Sequence, residues 1–431
     1  MLDISSDKKE KFISPQALVN FGLLLFVFFS PFSIAGTQTG LCFALLGWIW
    51  RVISKKDFNW ESSFFELPVL IYLGAYLLSI VFSQNPVRSL VSLRDEWLLI
   101  IPFLLINNLK DENLIRKLVN LIFLISGIVA LYAIWQHYTG IDLIRHKPLD
   151  QLLPYGKFRS PGFFALSLTY AFYAMVIGIV SFCLASSAKK SSWKTFYFAV
   201  SVLCVTGNLF SYTRSTLYAQ IFAFILFFIF SKSRHKLKEG LAVTGYFIAI
   251  YLIDPGILGR SIMVAKAGSL QQADIRSIIW STSFNIFKDH PVFGIGFGNF
   301  PEFYKSYLKI PSEIFGHAHN DFLNAAVNAG IIGLLAFIFL WVILLKNLLR
   351  RYKEIKEGYQ KALILGGILT LFAYLLASQF QCYYTAAIDN MILFFVLGLS
   401  EVIARIGPKE IKEKNTGNVK PQGLETSALP I

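Results

Sequence analysis

Long apolar runs separated by short polar stretches make up most of this sequence. Twelve such runs are present, at 14–35, 38–50, 64–82, 90–107, 118–137, 161–185, 195–211, 215–231, 240–254, 322–345, 361–380 and 386–405. About 20 apolar residues cross the hydrocarbon core of a bilayer as a helix. The pattern therefore predicts an all-α polytopic membrane protein with about 12 transmembrane helices, although the second and ninth runs are short and the fourth carries charge.

The composition supports this class and excludes others. The chain is 55% hydrophobic and only 15% charged, whereas an ordinary soluble domain is about 25% charged. A soluble enzyme, a disordered chain and a disulfide-rich secreted domain are all excluded. The net charge of +14 requires no nucleic-acid partner, because the cytoplasmic loops of membrane proteins collect Lys and Arg.

The distribution of basic residues predicts the orientation. With the N-terminus in the cytoplasm, the seven inside segments hold 27 of the 40 Lys and Arg residues. These segments are 8–11, 51–56, 110–117, 189–194, 232–238, 346–361 and 405–420. Because positive loops stay inside, both termini are predicted to be cytoplasmic.

The same count fixes the predicted domain boundaries. Residues 1–13 and 406–431 are cytoplasmic tails, and 14–254 holds transmembrane helices one to nine. Residues 255–321 form one large outer loop, and 322–405 holds helices ten to twelve. The polar residues that could carry chemistry then collect at the outer face, where cytoplasmic nucleotides do not reach.

The outer loop re-enters the membrane at a segment rich in His and Asn. If the helix starts near Asn320, then Asn320, Asn324 and Asn328 form one polar stripe along it. His319 would lie at the mouth of a wet cavity, and His is the side chain best suited to accept a proton near neutral pH. Two alternatives stay open: His319 only caps the helix, or His317 and His319 bind a metal ion, for which the spacing places no third ligand.

Three arginines near the outer face are candidates for anion binding. Arg214 lies in a three-residue turn between two apolar runs, Arg276 in an amphipathic stretch, and Arg159 before the sixth run. A guanidinium matches phosphate oxygens with two parallel hydrogen bonds. The alternatives are snorkelling for Arg214, a solvated face for Arg276 and an interface anchor for Arg159.

Two further charged features lie inside apolar runs. Asp389 in the twelfth run needs a cationic partner or a proton, so we expect it to orient an arginine or the histidine. A purely structural ion pair is the alternative. Arg94, Asp95 and Glu96 interrupt the fourth run and are candidates for an internal ion pair.

The glycine-rich segment 294–299 is predicted to be a turn. It lacks the G-x-G-x-x-G spacing, the preceding strand and the cytoplasmic access of a dinucleotide loop. The sequence has no D-x-D, H-E-x-x-H or G-x-S-x-G motif. Metal-bound nucleotide-sugar chemistry and serine hydrolysis therefore lose support.

Three stretches together resemble the O-antigen ligase and polymerase superfamily. They are Arg276-x3-Trp280, then Asp289-His290-Pro291 with the glycines after it, then His317-x-His319-Asn320 running to Gly333. Arg214 in Thr213-Arg214-Ser215 matches that family's arginine between two mid-chain spans. Twelve spans with one large outer loop before the last three fit the ligase branch.

The resemblance implies a membrane-embedded glycosyltransferase of the GT-C type in the bacterial inner membrane. Such a ligase moves a glycan from undecaprenyl diphosphate to a sugar of lipid A–core at the periplasmic face, without a metal ion, cofactor or nucleotide sugar. The family's essential histidine falls on His319 and its best-known arginines on Arg214 and Arg276. Arg159 and Asp389 match less sharply, and His317 and Asn320 are candidates for supporting roles.

The partners that this predicts are the undecaprenyl diphosphate-linked glycan as donor, lipid A–core as acceptor and the membrane lipid, with no nucleic acid. Within the superfamily, the alternatives are a polymerase that joins lipid-linked glycans and a transferase that acts on protein. Outside it, the alternative is a polysaccharide transporter or flippase. A transporter should show inverted repeats and charges at the bilayer midplane, and the sequence shows no such repeat.

Overall fold

The computed structural model describes residues 14–55, 60–152, 156–231, 236–253, 269–307 and 315–416. The helices of the first half are α1 (Pro15–Phe29), α2 (Ile34–Lys55), α3 (Glu66–Val81), α4 (Pro86–Leu93), α5 (Ile100–Asn108), α6 (Glu112–Thr139), α7 (Ser167–Ser187) and α8 (Ser191–Phe210). Those of the second half are α9 (Arg214–Phe230), α10 (Lys236–Ile253), α11 (Ser269–Asp289), α12 (Phe300–Tyr307), α13 (Asp321–Glu354), α14 (Tyr359–Ala377) and α15 (Ala387–Thr416). Two short strands, β1 (Gln151–Leu152) and β2 (Lys157–Phe158), pair antiparallel.

The predicted α-helical polytopic class is confirmed. Among the described residues, five helices are long and apolar enough to cross a membrane: α6, α7, α13, α14 and the segment Ala387–Ile406 of α15. Helices α1, α3 and α9 are apolar but shorter. The number of twelve spans, the GT-C type and the domain boundaries stay predictions, and the tail residues 1–13 and 417–431 lie outside the described residues.

The prediction of one helix over the fourth apolar run is wrong. Residues 86–108 instead form α4, a 3₁₀ helix (Arg94–Leu99) and α5. Arg94 and Asp95 form an exposed ion pair at 3.5 Å. Glu96 turns inward, where its carboxylate accepts hydrogen bonds from the hydroxyls of Tyr72 at 3.2 Å and Tyr384 at 2.8 Å. The regular α-helix is therefore interrupted where Arg94 and Asp95 face outward while the adjacent Glu96 faces the protein interior.

Polar caps mark several helix starts. Ser14 precedes α1, Asn85 precedes α4 and Asp111 precedes α6, and each side chain accepts a hydrogen bond from a backbone N–H of the first turn. Such caps satisfy donors that have no partner within the helix. Pro15 and Pro86 follow two of these caps, at the position where proline is best tolerated.

The core lies around α7, α14 and α15. Every residue of α7 from Tyr170 to Ala185 is buried, so this helix is surrounded by protein rather than lipid. Helices α1 and α2 form a tight hairpin beside this core. A Cβ atom on Gly22 would lie 2.3 Å from the backbone nitrogen of Ala44, so glycine permits this close helix contact.

Helix α13 is kinked after its second turn. Ala329 has φ −131° and Gly330 has φ +65°, neither of which is helical. The kink leaves backbone groups of the helix without their usual partners, and the segment 291–296 supplies them. Ile295 and Gly296 donate to the carbonyls of Val327 and Asn328 at 3.0 and 2.9 Å, and Ile331 donates to the carbonyl of Pro291 at 2.8 Å.

This docking confirms the predicted turn in the glycine-rich segment and explains its composition. Gly294, Gly296 and Gly298 all have positive φ, a conformation that glycine adopts at little cost. The segment from Ile331 to Glu354 is by itself long enough to cross a bilayer, since about 20 residues suffice. The first two turns of α13 therefore belong with the loop that precedes them.

Basic residues cluster at the bundle end away from His319. Arg351 and Arg405 both bind the buried carboxylate of Glu401, the former at 3.0 Å. Arg51 donates to the carbonyl of Asn107 at 2.9 Å, and Gln360 donates to Glu112 at 2.7 Å. The segments assigned to the cytoplasm by charge thus contact one another at one end of the bundle.

Candidate functional site

The segment before α13 holds His319 in an unusual conformation. His319 has φ +51°, which is uncommon for a residue with a side chain. Its backbone N–H donates to Nδ1 of His317 at 3.3 Å, and the two rings lie 4.5 Å apart. Ala318 between them is fully buried, so the segment that carries both histidines is packed against the protein.

The predicted helix start is confirmed. Asn320 is the N-cap of α13, and its side chain accepts a hydrogen bond from the backbone N–H of Leu323 at 3.0 Å. Asn324 and Asn328 are both buried. The side chain of Asn324 accepts a bond from the N–H of Ala318 at 3.4 Å. Asn320 and Asn324 therefore hold the histidine segment against the helix.

The loop between α14 and α15 contributes residues that the sequence analysis did not select. Oε1 of Gln381 accepts a hydrogen bond from Nδ1 of His319. The buried carboxylate of Asp321 accepts bonds from the backbone N–H groups of Tyr383 and Tyr384, at 3.2 and 3.1 Å. In the sequence, the only feature that marks this loop is a group of polar residues after an apolar run. Many loops share that feature, so it does not indicate a functional site.

Helix α11, which carries Arg276, packs in a small hydrophobic core separate from the main one. Ile279 and Ile286 of α11 pack in a cluster with Ile295, Tyr304 and Ala318, among others. Residues three apart lie on one helix face, so Arg276 lies on the same side as Ile279. The packing that fixes Ala318 beside the histidines thus also fixes α11, which carries Arg276.

Electrostatics show that Arg276 and Arg214 are neighbours. Burial lowers the pKa of Arg276, and the charge of Arg214 lowers it further. Arg214 is the first residue of α9, and the next residue, Ser215, shares a hydrogen bond of 2.7 Å with the hydroxyl of Tyr383. The structure thus brings together the turn before α9, helix α11 and the α14–α15 loop.

Arg159 braces the turn that carries Arg214. Its Nε atom donates to the carbonyl of Ser211 at 2.8 Å, and a terminal nitrogen donates to the hydroxyl of Thr213 at 3.3 Å. Tyr212 within this turn has φ +53°. These contacts suit Arg159 to positioning Arg214, and its predicted contact with diphosphate stays a prediction.

The two histidines are kept neutral. Burial lowers the pKa of His317 to about 4, with a further contribution from His319. For His319, burial lowers the pKa, the bond to Gln381 raises it, and the charge of Arg276 lowers it again, with a net decrease. An imidazole with a lowered pKa carries a free lone pair at neutral pH.

Asp389 lies beneath this cluster. It is buried, and its Oδ1 atom has no hydrogen-bond partner among the described residues. The pKa of Tyr383 is raised mainly by burial, and the carboxyls of Asp389 and Asp321 raise it further. The structure thus places Asp389 beside Tyr383 and Asp321, and the role predicted for it stays untested.

A metal-binding group is not apparent in the described part of the chain. No three His, Cys, Asp or Glu residues lie together there in a group that could hold a metal ion. If His317 and His319 were two ligands of a metal ion, the described residues would therefore supply no third ligand from these residue types. Metal independence stays a prediction.

Comparison with known families supports the assignment made from the motifs. Residues 162–338 match the family model described as O-Antigen ligase. The matched segment contains Arg214, Arg276 and His319, while Arg159, Gln381 and Asp389 lie outside it. No curated protein matches the chain.

Proposed function

We propose that this chain, whose residues 162–338 match the O-antigen ligase family, transfers a glycan from undecaprenyl diphosphate to a sugar hydroxyl of lipid A–core. The reaction takes place at the periplasmic face of the bacterial inner membrane. Both chain termini lie in the cytoplasm. The enzyme is a metal-independent, inverting glycosyltransferase of the GT-C type.

One observation supports this proposal: a histidine with a lowered pKa and two arginines from separate elements lie within electrostatic reach of one another at one end of the bundle. His319 precedes α13, Arg276 lies on α11 and Arg214 begins α9. The charge of Arg276 reaches both other residues, since it lowers the pKa of His319 and interacts with Arg214. A base beside two fixed cations suits the displacement of an anionic leaving group.

The arginines stabilise the leaving diphosphate. As the bond from the sugar to the diphosphate breaks, negative charge accumulates on the phosphate oxygens. Arg214 and Arg276 offset that charge as it develops, which is where electrostatic catalysis has its largest effect. The backbone N–H groups at the start of α9, beside Arg214, favour an anion in the same place.

His319 activates the acceptor. A sugar hydroxyl is a poor nucleophile, and His319 takes its proton as the oxygen attacks the anomeric carbon. The leaving group departs from the opposite face in one displacement, so the anomeric configuration inverts. His317 and Asn320 support the base through the contacts that fix the segment.

The test is a gene deletion with analysis of the cell envelope. Loss of the ligase should leave lipid A–core without glycan while lipid-linked glycan accumulates. Restoration by the wild-type gene is the control. If single repeat units remained attached to core, the protein would instead be a polymerase of the same superfamily, and accumulation of lipid-linked glycan on the cytoplasmic side would indicate a flippase.

A further inference from the structure

We propose that Gln381 is a positioning residue that fixes the tautomer of His319, so that Nε2 is the atom that takes the acceptor's proton. This inference rests on the proposed function, because it assigns an atom to the catalytic base. It concerns a loop outside the family-matched segment.

The hydrogen-bond geometry assigns the proton. Oε1 of an amide can only accept, so Nδ1 of His319 carries the hydrogen that it donates to Gln381. In a neutral imidazole the other nitrogen then holds the lone pair. No described residue hydrogen-bonds to Nε2 of His319, which leaves that lone pair available to a substrate.

The loop of Gln381 is fastened to the same helix start as His319. Asp321 donates its N–H to the carbonyl of Ser378 at 2.9 Å, and its carboxylate holds Tyr383 and Tyr384. Asn320 donates to the carbonyl of Gln379 at 3.1 Å. Hydrogen bonds before and after Gln381 in the loop therefore keep its side chain beside the imidazole of His319.

A neutral amide suits these surroundings better than a carboxylate. The titratable groups of the cluster include His317, Arg276 and Arg214, with Cys382 and Tyr383 in the α14–α15 loop and Asp321 and Asp389 in α13 and α15. A glutamate at position 381 would place a negative charge against the imidazole of His319. Glutamine orients the ring without adding a charge to the cluster.

The proton path balances with no further reactant. The acceptor O–H bond breaks as its proton moves to Nε2, and the oxygen forms a bond to the anomeric carbon. The bond from that carbon to the diphosphate breaks, and its electron pair leaves with the lipid diphosphate. The imidazolium keeps its Nδ1–H on Gln381 and later releases the Nε2 proton to water.

The test compares Gln381→Met and Gln381→Glu with wild type, using purified full-length protein, lipid-linked donor and lipid A–core. Methionine removes the acceptor atom, so kcat should fall on the order of 10- to 100-fold, the scale of a misplaced catalytic group, with the KM for the donor little changed. Phe380→Leu, next to it in the same loop at a side chain that is 41% exposed, is the control and should behave as wild type.

The glutamate variant separates orientation from packing. A carboxylate beside the ring stabilises the imidazolium and raises the pKa of His319. The acidic limb of the pH profile of kcat should then move to higher pH, so that activity lost near neutrality returns in alkaline buffer. A residue that only packs would change kcat without moving this limb.

Each outcome decides the matter. A folded Gln381→Met protein with wild-type kcat overturns the proposal, as does an unmoved acidic limb in Gln381→Glu. If Gln381→Met does not fold, the glutamate variant decides alone. Failure of the proposed function looks different, because wild-type protein would then transfer no glycan to lipid A–core.

Discussion

Backbone strain coincides with the candidate site at the scale of single residues. Among the described residues, three non-glycine residues have positive φ, namely His146, Tyr212 and His319. Two of the three lie in the segments that carry Arg214 and the proposed base. Such conformations persist where surrounding contacts enforce them, often at functional sites. Here the enforcing contacts come from His317 and Arg159.

Substitution of His319 should separate chemistry from structure. His319→Ala and His319→Gln should both lose about 100- to 10,000-fold in rate, the usual contribution of a positioned proton acceptor. Glutamine can hydrogen-bond but cannot take a proton at neutral pH. Rates with purified protein, together with donor binding, provide the measurement.

His317→Asn is the matched control for this experiment. Its side-chain oxygen can accept the N–H of His319, as Nδ1 does now, so most of the activity should remain. Substantial transfer by folded His319→Gln would end the role of His319 as a base, and Asp389 would be the next candidate.

Lysine should not replace either arginine of the candidate site without loss of transfer activity. Arg214→Ala and Arg276→Ala should each impair transfer severely, and lysine at either position should rescue only in part. Lysine keeps the charge but loses the paired hydrogen bonds to phosphate. Arg94→Ala is the control, because Arg94 is 76% exposed and paired with Asp95. Near wild-type kcat/KM in either alanine variant at the site would remove that arginine from it.

The sequence predicts candidates for the reactive residues of this site but not the residues that hold them. His319, Arg214 and Arg276 are polar groups in or beside apolar runs, where burial is expensive unless they have a function. Gln381 is a polar residue in an ordinary loop, and its contact with His319 bridges distant positions in the chain. Only the packing of α13 against α14 and α15 reveals it.

At the scale of elements, sequence periodicity predicts the helices but not their interruptions. Most of the other apolar runs lie mainly in one helix, because a membrane span requires about 20 apolar residues in sequence. The breaks at Glu96 and Gly330 depend on partners from elsewhere, namely Tyr384 and the carbonyl of Pro291. Tertiary contacts of this kind leave no local pattern.

The kink in α13 offers a stability test. A Cβ on Gly330 would lie 2.1 Å from the carbonyl oxygen of Val292. Gly330→Ala should therefore cost more than the roughly 1–2 kcal/mol of a left-handed residue, and the thermal midpoint in detergent should fall. Transfer should fall as well, because the loop docked at the kink belongs to the same small core as α11.

Gly74→Ala is the control for the kink. Gly74 lies in α3 with no atom near its missing Cβ, and alanine there should be neutral or stabilising by roughly 0.5–1 kcal/mol. A wild-type midpoint in Gly330→Ala would show that the kink and its docked turn are not required for stability.

At the scale of the whole molecule, the two ends of the bundle differ in charge and in chemistry. Arg51, Arg116, Arg351 and Arg405 lie at one end, in structural contacts with neighbouring segments of the bundle. His319, Arg214 and Arg276 lie at the other. Since positive loops stay in the cytoplasm, the first end is predicted to face inward.

A reporter enzyme can test this orientation. Alkaline phosphatase fused after residue 300 should be active, because the enzyme folds only in the periplasm, whereas a fusion within 355–358 should be inactive. The second fusion is the control, since α13 separates the two sites. The reverse pattern would place the candidate site in the cytoplasm and overturn the proposed donor chemistry.

The proximity of Arg214 and Arg276 also has a kinetic consequence: product inhibition. In the proposed reaction, the spent lipid carrier keeps its diphosphate once the glycan has left, and it exposes one more negative oxygen than the donor did. The arginine pair should therefore hold the product at least as firmly as the substrate. Undecaprenyl diphosphate should then compete with donor, while the monophosphate competes much less. Equal inhibition by both carriers would show that the arginine pair does not distinguish a diphosphate from a monophosphate.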